Sequence, residues 1–295
     1  MCEIITSKSF SEIDLDDEFF KTLKDDYPGF EDWFHRKSSQ KALTQYANGK
    51  LQAFLYLKNE SCEAPEGIVP RLPLSRWLKV GTFKIDAHNT KLGERFIKKI
   101  MDVAIAGRFD GIYVTVYPKQ GPLINLLGKY GFEERGKKGN ELVLVKDMKR
   151  LCGDPLKDYP LLSIKGKRKY VLSIYPQFHT RLFPDSILRT ENNVKEDLLR
   201  DVSYTNSIHK IYVCFMPKTA ELKPGDLLAI YRTGDGFGPA YYRSVITSIC
   251  QVEEVRLRGD FKDVKDFIKY TNAYSIFDPN DLSQWYRRQN VVVIR

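Results

Sequence analysis

Apolar residues recur along this chain at two spacings, and the change between them marks out its elements. Lys50–Lys58 (KLQAFLYLK) alternates apolar and polar residues, as a half-buried strand does. WLKVGTFKID (Trp77–Asp86), GIYVTVY (Gly111–Tyr117) and ELVLVKDM (Glu141–Met148) are further strand-like runs. LGERFIKKIMDVAIAG follows the helical period instead. Leu92, Phe96, Ile100 and Val103 share one face; Arg95, Lys98, Lys99 and Asp102 share the other; Gly107 is a plausible cap. PLINLLGKYGF reads as a short helix with a glycine exit, and FFKTLKDD and FEDWFHRKSSQKALTQY read as earlier helices. Helices, then strands, then strand–helix–strand–helix–strand predict an α/β domain with a mixed sheet and flanking helices.

The second half has a different rhythm. YVLSIYP, HKIYVCFMP, GDLLAIYRT, AYYRSVITSICQVEEV and NVVVIR are strand candidates separated by Pro/Gly-rich turns, with short helices in FKDVKDFIKYT and DPNDLSQWYRR. Many strands with local turns predict a small, largely antiparallel β-barrel. Between the halves the chain turns charged and carries Gly153, Pro155 and Pro160. The expected organisation is a first domain over 1–150, a linker over 151–168 and a second domain over 169–295.

Composition narrows the class. In 295 residues the hydrophobic fraction is 42%, enough for two packed cores. No apolar run approaches the length of a membrane span, and MCEIITSKSFSEIDLDDEFF is acidic where a signal peptide is basic, so a cytoplasmic location is expected. Five scattered cysteines without a CxxC pair suggest free thiols, and with His35, His88, His179 and His209 they make no metal-ligand spacing; no metal is expected. The net charge of +9 is shared by both halves: residues 151–295 hold 22 Lys/Arg against 17 Asp/Glu. A mild excess of this kind suits a polyanionic partner, and equally it serves solubility.

The turn in DAHNTKLGERFIKKIMDVA raises a specific possibility. A helix that begins near Leu92 presents its first N–H groups, and the positive end of its dipole, to whatever precedes it. A pyrophosphate there would meet several donors, with Gly93 permitting close approach and Lys91 adding charge. Any strand–turn–helix unit offers the same amides, so a plain connection remains the alternative.

The run from Trp77 to Met148 resembles the acetyl-CoA core of the GNAT family of N-acetyltransferases. The likeness lies in WLKVGTFKID, HNTKLG, ERFIKKIMDVA, IYVTVYPKQ, LINLLGKYGF and ELVLVKDM, in that order. The family's phosphate turn, Gln/Arg-x-x-Gly-x-Gly/Ala, falls on His88 to Gly93. Only Gly93 matches it, while Tyr130-Gly131-Phe132 matches the family's aromatic–Gly–Phe. The resemblance implies acetyl-CoA as cofactor. It implies that the central strands splay apart near Lys84–Asp86 and Thr115–Tyr117, with pantetheine amides pairing around Phe83 and Ile85. It places the pyrophosphate on the amides of Lys91, Leu92, Gly93 and Glu94, and gives Gln120 the role of a family Asn that touches the cofactor.

The family's tyrosine acid falls on Leu127 here. Tyr113, Tyr117 or Tyr130 could substitute, or could be packing residues. An acceptor amine must also lose a proton. Asp86 and His88, where the strand opens, are candidates for that step, or turn residues without chemistry.

YVLSIYPQFHTRLFPDSIL, ELKPGDLLAIYRT and SVITSICQVEEV resemble the PUA-like superfamily, nearest its ASCH branch, with Pro224-Gly225-Asp226 matching its turn. Such domains usually bind RNA or a modified base. The residues that would serve are Lys167, Arg168, Tyr175, His179, Arg232 and Arg243, by phosphate contact and base stacking. The alternative is barrel-wall packing and a solvated linker. The combined expectation is an acetyl-CoA-dependent N-acetyltransferase acting on an amine of RNA, aminoacyl-tRNA or a ribonucleoprotein. The competing readings are an inactive acyl-CoA- and RNA-binding regulatory module, or a protein associated with a bacterial toxin–antitoxin pair.

Overall fold

The computed structural model of the chain describes residues 5–86, 91–186, 188 and 206–295. The chain divides into two compact units, with the division between Ser163 and Ile164. Among the described residues no helix is long and apolar enough to cross a membrane.

The first unit is built on a seven-stranded mixed sheet. Its strands are β1 (Ile5–Ser9), β2 (Lys41–Ala47), β3 (Lys50–Glu60), β4 (Trp77–Ile85), β5 (Gly111–Val116), β6 (Glu133–Lys138) and β7 (Glu141–Asp147). They lie in the order β1-β2-β3-β4-β5-β7-β6. Only β4 and β5 run parallel, because the helix α3 (Leu92–Ala106) crosses between them. Helices α1 (Lys21–Asp26) and α2 (Phe30–His35) precede the sheet, and α4 (Gly121–Lys129) joins β5 to β6. Phe10, Phe20, Phe34 and Phe54 pack edge-on or tilted in one cluster, each at most 3% exposed. Each such ring stabilises the fold by about 1.5–3 kcal/mol through burial.

Two sequence readings change here. The stretch KALTQYA, expected to continue a helix, is strand β2. Its Ala42 and Thr44 alternate into the interior, and β1 and β3 flank it, so pairing on both sides overrides its mild helix propensity. The buried face of α3 is also rotated from the expected one. Leu92, Phe96 and Ile100 are buried, but so are Ile97, Met101, Ala104, Arg95 and Lys98, while Val103 is 37% exposed.

The second unit holds two three-stranded sheets. One has the order β11-β10-β8, from β8 (Lys169–Ile174), β10 (Leu227–Arg232) and β11 (Val245–Gln251). The other has the order β12-β13-β9, from β9 (Tyr212–Cys214), β12 (Val255–Leu257) and β13 (Val292–Ile294). Helices α6 (Pro176–Leu182), α7 (Ala240–Arg243), α8 (Val264–Thr271) and α9 (Pro279–Tyr286) complete it; the short α5 (Pro155–Asp158) belongs to the first unit. Leu172, Ile230, Phe267, Ile276, Leu282 and Val292 belong to one core. The expected barrel is small and largely antiparallel; among the described residues the strands form two separate three-stranded sheets, mostly antiparallel, with β8 parallel to β10.

Candidate functional site

The parallel ladder between β4 and β5 is short. It runs from Trp77 opposite Gly111 to Val80 opposite Val114 and then stops, although β4 continues to Ile85 and β5 to Val116. Beyond that point β4 pairs with β3 alone and β5 with β7 alone. The cause lies in one residue. Thr82 faces Tyr56 and Val80 faces Leu57, so Gly81 is the extra residue of a β-bulge. A bulge bends its strand and increases its twist, which carries Thr82–Ile85 away from β5. Glycine is required: a Cβ at Gly81 would lie 2.8 Å from the Tyr56 ring. The two strands thus present facing edges with unused backbone groups, Thr82–Ile85 on one side and Thr115–Val116 on the other. The opening begins two residues or more before the expected Lys84.

The start of α3 borders this opening. A Cβ on Gly93 would come within 3.7 Å of the Ile85 side chain and 2.9 Å of Leu126. The bare Cα of Gly93 therefore lets α3 sit close to α4. Leu92 and Glu94 are 2% and 7% exposed, and Phe83 packs on Phe96 with ring centroids 6.0 Å apart. Lys91 occupies the position before the first helical residue, and its carbonyl accepts the Arg95 N–H at 3.1 Å. The positive end of the α3 dipole points out of this turn. Residues 87–90 lie outside the described residues, so the expectation for His88 falls outside them too.

Asp86 ends the open stretch of β4. Its N–H donates to the Gln52 carbonyl at 2.9 Å, and its half-exposed carboxylate lies 3.4 Å from the Lys84 ammonium. Lys84 in turn donates to Thr22 at 2.9 Å and to the Phe19 carbonyl, which ties the open part of β4 to the region around α1.

Tyr117 follows the last residue of β5 and so stands at the mouth of the gap. Its ring packs on Tyr27 at 5.0 Å, and Tyr27 donates to Glu141 at 2.9 Å. Burial, with Glu141 beside it, holds the Tyr27 hydroxyl well above the ordinary phenol range. Gln120 donates to Asp26 at 3.2 Å and precedes α4. Lys119 pairs with the same Asp26 and lies 5.7 Å from the Tyr117 ring centroid. The mouth thus carries Asp26, Tyr27 and Glu141 beside Tyr117 and Gln120. The sequence reading missed the first three, because they come from α1 and β7 and no local spacing links them to β5.

A second polar group surrounds Tyr113 of β5. Tyr113 is 2% exposed and donates to Glu60, which Lys58 approaches at 2.6 Å. Burial and the Glu60 contact push the Tyr113 hydroxyl far up, and burial pulls Lys79 down. A hydroxyl engaged with a carboxylate in this way is poorly placed to protonate a thiolate. Tyr130 and Leu127 are both fully buried.

In the second unit the six expected residues lie at two ends of one sheet. Lys167 and Arg168 precede β8. Lys167 donates to Gln251, while Arg168 grips Asp226 through Nε at 2.8 Å and through its terminal nitrogen. Asp226 also accepts the Lys223 N–H at 2.7 Å, so Arg168 secures the Pro224-Gly225-Asp226 turn. At the other end are Tyr175, Arg232 and Arg243. Tyr175 is 67% exposed. Arg232 is fully buried and donates to the Arg243 carbonyl at 2.6 Å and to Asp235 at 3.2 Å; Arg243 meets Asp235 at 2.6 Å. His179 is fully buried, stacked on Phe183 and bonded to Thr247 at 2.7 Å. Arg232 and His179 are thus held inside the unit. The exposed aromatics beside them are Phe237, Tyr241 and Tyr242.

No protein-family profile matches the chain, and no curated protein matches it. Solved structures do. The N-acetyltransferase PaiA from Thermoplasma acidophilum, in complex with coenzyme A, is 14% identical; the match covers 50% of this chain and 99% of that one, with a TM-score of 0.37. Ard1 from Thermoplasma volcanium is 11% identical over 50% of this chain and 98% of that one, with a TM-score of 0.38. The N-acetyltransferase PseH from Campylobacter jejuni, in complex with acetyl coenzyme A, is 12% identical over 49% of this chain and 99% of that one, with a TM-score of 0.33. At these values the likeness decides nothing about the chemistry of this chain.

Proposed function

We propose that the chain is an acetyl-CoA-dependent N-acetyltransferase whose cofactor enters the gap between β4 and β5. The observation that carries the reading is the end of the β4–β5 ladder at Val80 and Val114, forced by the Gly81 bulge. An amide-bearing arm such as pantetheine satisfies an open strand edge in the way another strand would. Phe83 and Ile85 supply that edge, Lys91, Leu92, Gly93 and Glu94 form the adjoining helix start, and Gln120 flanks the far side. Acetyl transfer then needs the amine held against the thioester, which positioning alone accelerates strongly. Tyr117, at the mouth, is the acid that protonates the departing thiolate, and Asp86 or His88 takes the proton of the amine.

The acceptor in this reading is an amine of RNA, aminoacyl-tRNA or a ribonucleoprotein. The second unit contacts it through Lys167, Arg168, Tyr175 and Arg243, while the buried His179 and Arg232 brace the unit from inside. Solvent-facing Tyr175, Tyr241 and Tyr242 favour that role, since sequence-tolerant stacking on bases needs exposed rings. One observation favours a second reading, a cofactor-binding protein without catalysis: Leu127 is buried where the family keeps its acid.

Isothermal titration with acetyl-CoA tests the cofactor, and mass spectrometry of candidate acceptors tests transfer. Heat with an acetylated product supports the first reading. Heat without any product selects the second, and no heat at millimolar acetyl-CoA removes both.

A further inference from the structure

A second cavity lies in the first unit, at the opposite end of the β4–β5 ladder. It has a volume of about 530 Å3, within the range of roughly 300–1,000 Å3 found for small-molecule sites. Leu72, Trp77 and Val145 give it an apolar floor. Its walls are fixed by internal bonds. Trp77 donates to the Pro73 carbonyl at 2.8 Å, and the buried Asp158 carboxylate accepts the N–H groups of Cys152 at 2.6 Å and Gly153 at 3.0 Å.

The lining holds six Lys/Arg against four Asp/Glu, a net +2, and each of those carboxylates already has a hydrogen-bond or ion-pair partner. Asp110 takes Lys149 at 2.6 Å and Ser75 at 2.7 Å, Glu133 takes Arg135 at 2.7 Å, and Asp147 takes the Lys149 N–H at 2.7 Å. Among the described residues, the side chains of Arg71, Arg150 and Lys157 have no carboxylate or hydrogen-bond partner. Lys146 adds a fourth cation, only 3% exposed, and the Lys157 carbonyl takes one of its three N–H donors. Burial pulls the Lys146 pKa down, against the opposing pull of the Asp158 and Asp147 carboxylates. A buried ammonium and three unmatched cations around an apolar floor suit an anion with an apolar body.

We propose that this cavity binds a small anionic molecule, a phosphate or carboxylate carried on an apolar or aromatic group. The headgroup meets Lys146, Arg71 and Arg150, and the body lies on Leu72 and Trp77. The site is separate from the gap: the paired stretch Trp77–Val80 lies between them, and Trp77 is five steps, about 16 Å, from Thr82 where the open edge begins. A ligand here is therefore out of reach of a thioester in the gap, and the site serves recognition or regulation.

Phenyl phosphate and benzoate are the probes, titrated calorimetrically into the full chain at low salt, with benzyl alcohol and benzylamine as controls. The expected result is binding of one or both anions and of neither control. Which anion binds identifies the headgroup. Affinity should fall about tenfold or more in the Arg71→Ala/Arg150→Ala variant, whose altered side chains are exposed, and should weaken with added salt. Circular dichroism confirms that the variant is folded. Absence of binding by both anions, equal affinity in the variant, or equal binding of benzyl alcohol would overturn the proposal. None of these outcomes depends on acetyl-CoA.

Discussion

Val80 and Val114 are the last partners that β4 and β5 share, and the next residue of β4, Gly81, is the bulge that parts them. Fold and proposed chemistry meet at this point. A continuous ladder would leave no strand edge for a ligand, and a bulge elsewhere would open the sheet away from α3.

Gly81→Val tests that link. A side chain there must displace the Tyr56 ring, from which even a Cβ would stand 2.8 Å. Overpacking of this kind costs about 1–3 kcal/mol. Denaturant titration should show that loss, and acetyl-CoA affinity should fall beyond what reduced stability explains. Retained affinity would separate the bulge from cofactor binding.

Tyr117→Phe removes only the hydroxyl at the gap mouth. The rate of acetyl transfer should fall about 100- to 10,000-fold, with acetyl-CoA affinity unchanged, as for loss of a general acid. Tyr113→Phe should leave the rate nearly intact, because its hydroxyl already serves Glu60. Equal losses in both variants would contradict the assignment.

Arg168→Ala should lower the thermal stability of the second unit by freeing Asp226. The Arg168 guanidinium, with the Lys223 N–H, holds the Asp226 carboxyl below its ordinary value. A depressed carboxylate stabilises the fold above its unfolded pKa, and that contribution is lost as pH falls through the folded value. The Tm of the wild type should therefore drop on acidification below about pH 4, with a shallower drop in the variant. RNA binding that fell only in step with folding would mark Arg168 as a brace of the turn.

At the alkaline end the signs reverse. Burial pushes Tyr212 up to about 12, and burial with Glu254 does the same for Tyr270, against an ordinary 10.0. A raised pKa contributes stability below pH 10 that is lost as pH rises toward 12. Thermal melts of the second unit should fall steeply across that window, and Tyr270→Phe should flatten the fall. A flat profile in the wild type would contradict these environments.

The sequence displayed the strands and the long helix around the gap because their apolar periods are local. β1 and β6 did not show. EERGKK in β6 has no apolar face, and its strand conformation comes from pairing with β7. β2 was hidden because KALTQYA carries helix-compatible residues that two neighbouring strands hold extended. The candidate site was legible only in part. Tyr117 and Gln120 follow a visible strand, but Asp26, Tyr27 and Glu141 reach the mouth through tertiary packing. Arg232 and His179 read as solvent-facing ligands, yet both are buried among internal partners, which no local pattern announces.

A crystal structure of the chain grown with saturating acetyl-CoA tests the central claim most directly. The predicted result is density for the pantetheine arm between Thr82–Ile85 and Thr115–Val116, with the pyrophosphate at the start of α3. Density for the cofactor elsewhere, or an empty gap under saturating conditions, would contradict it.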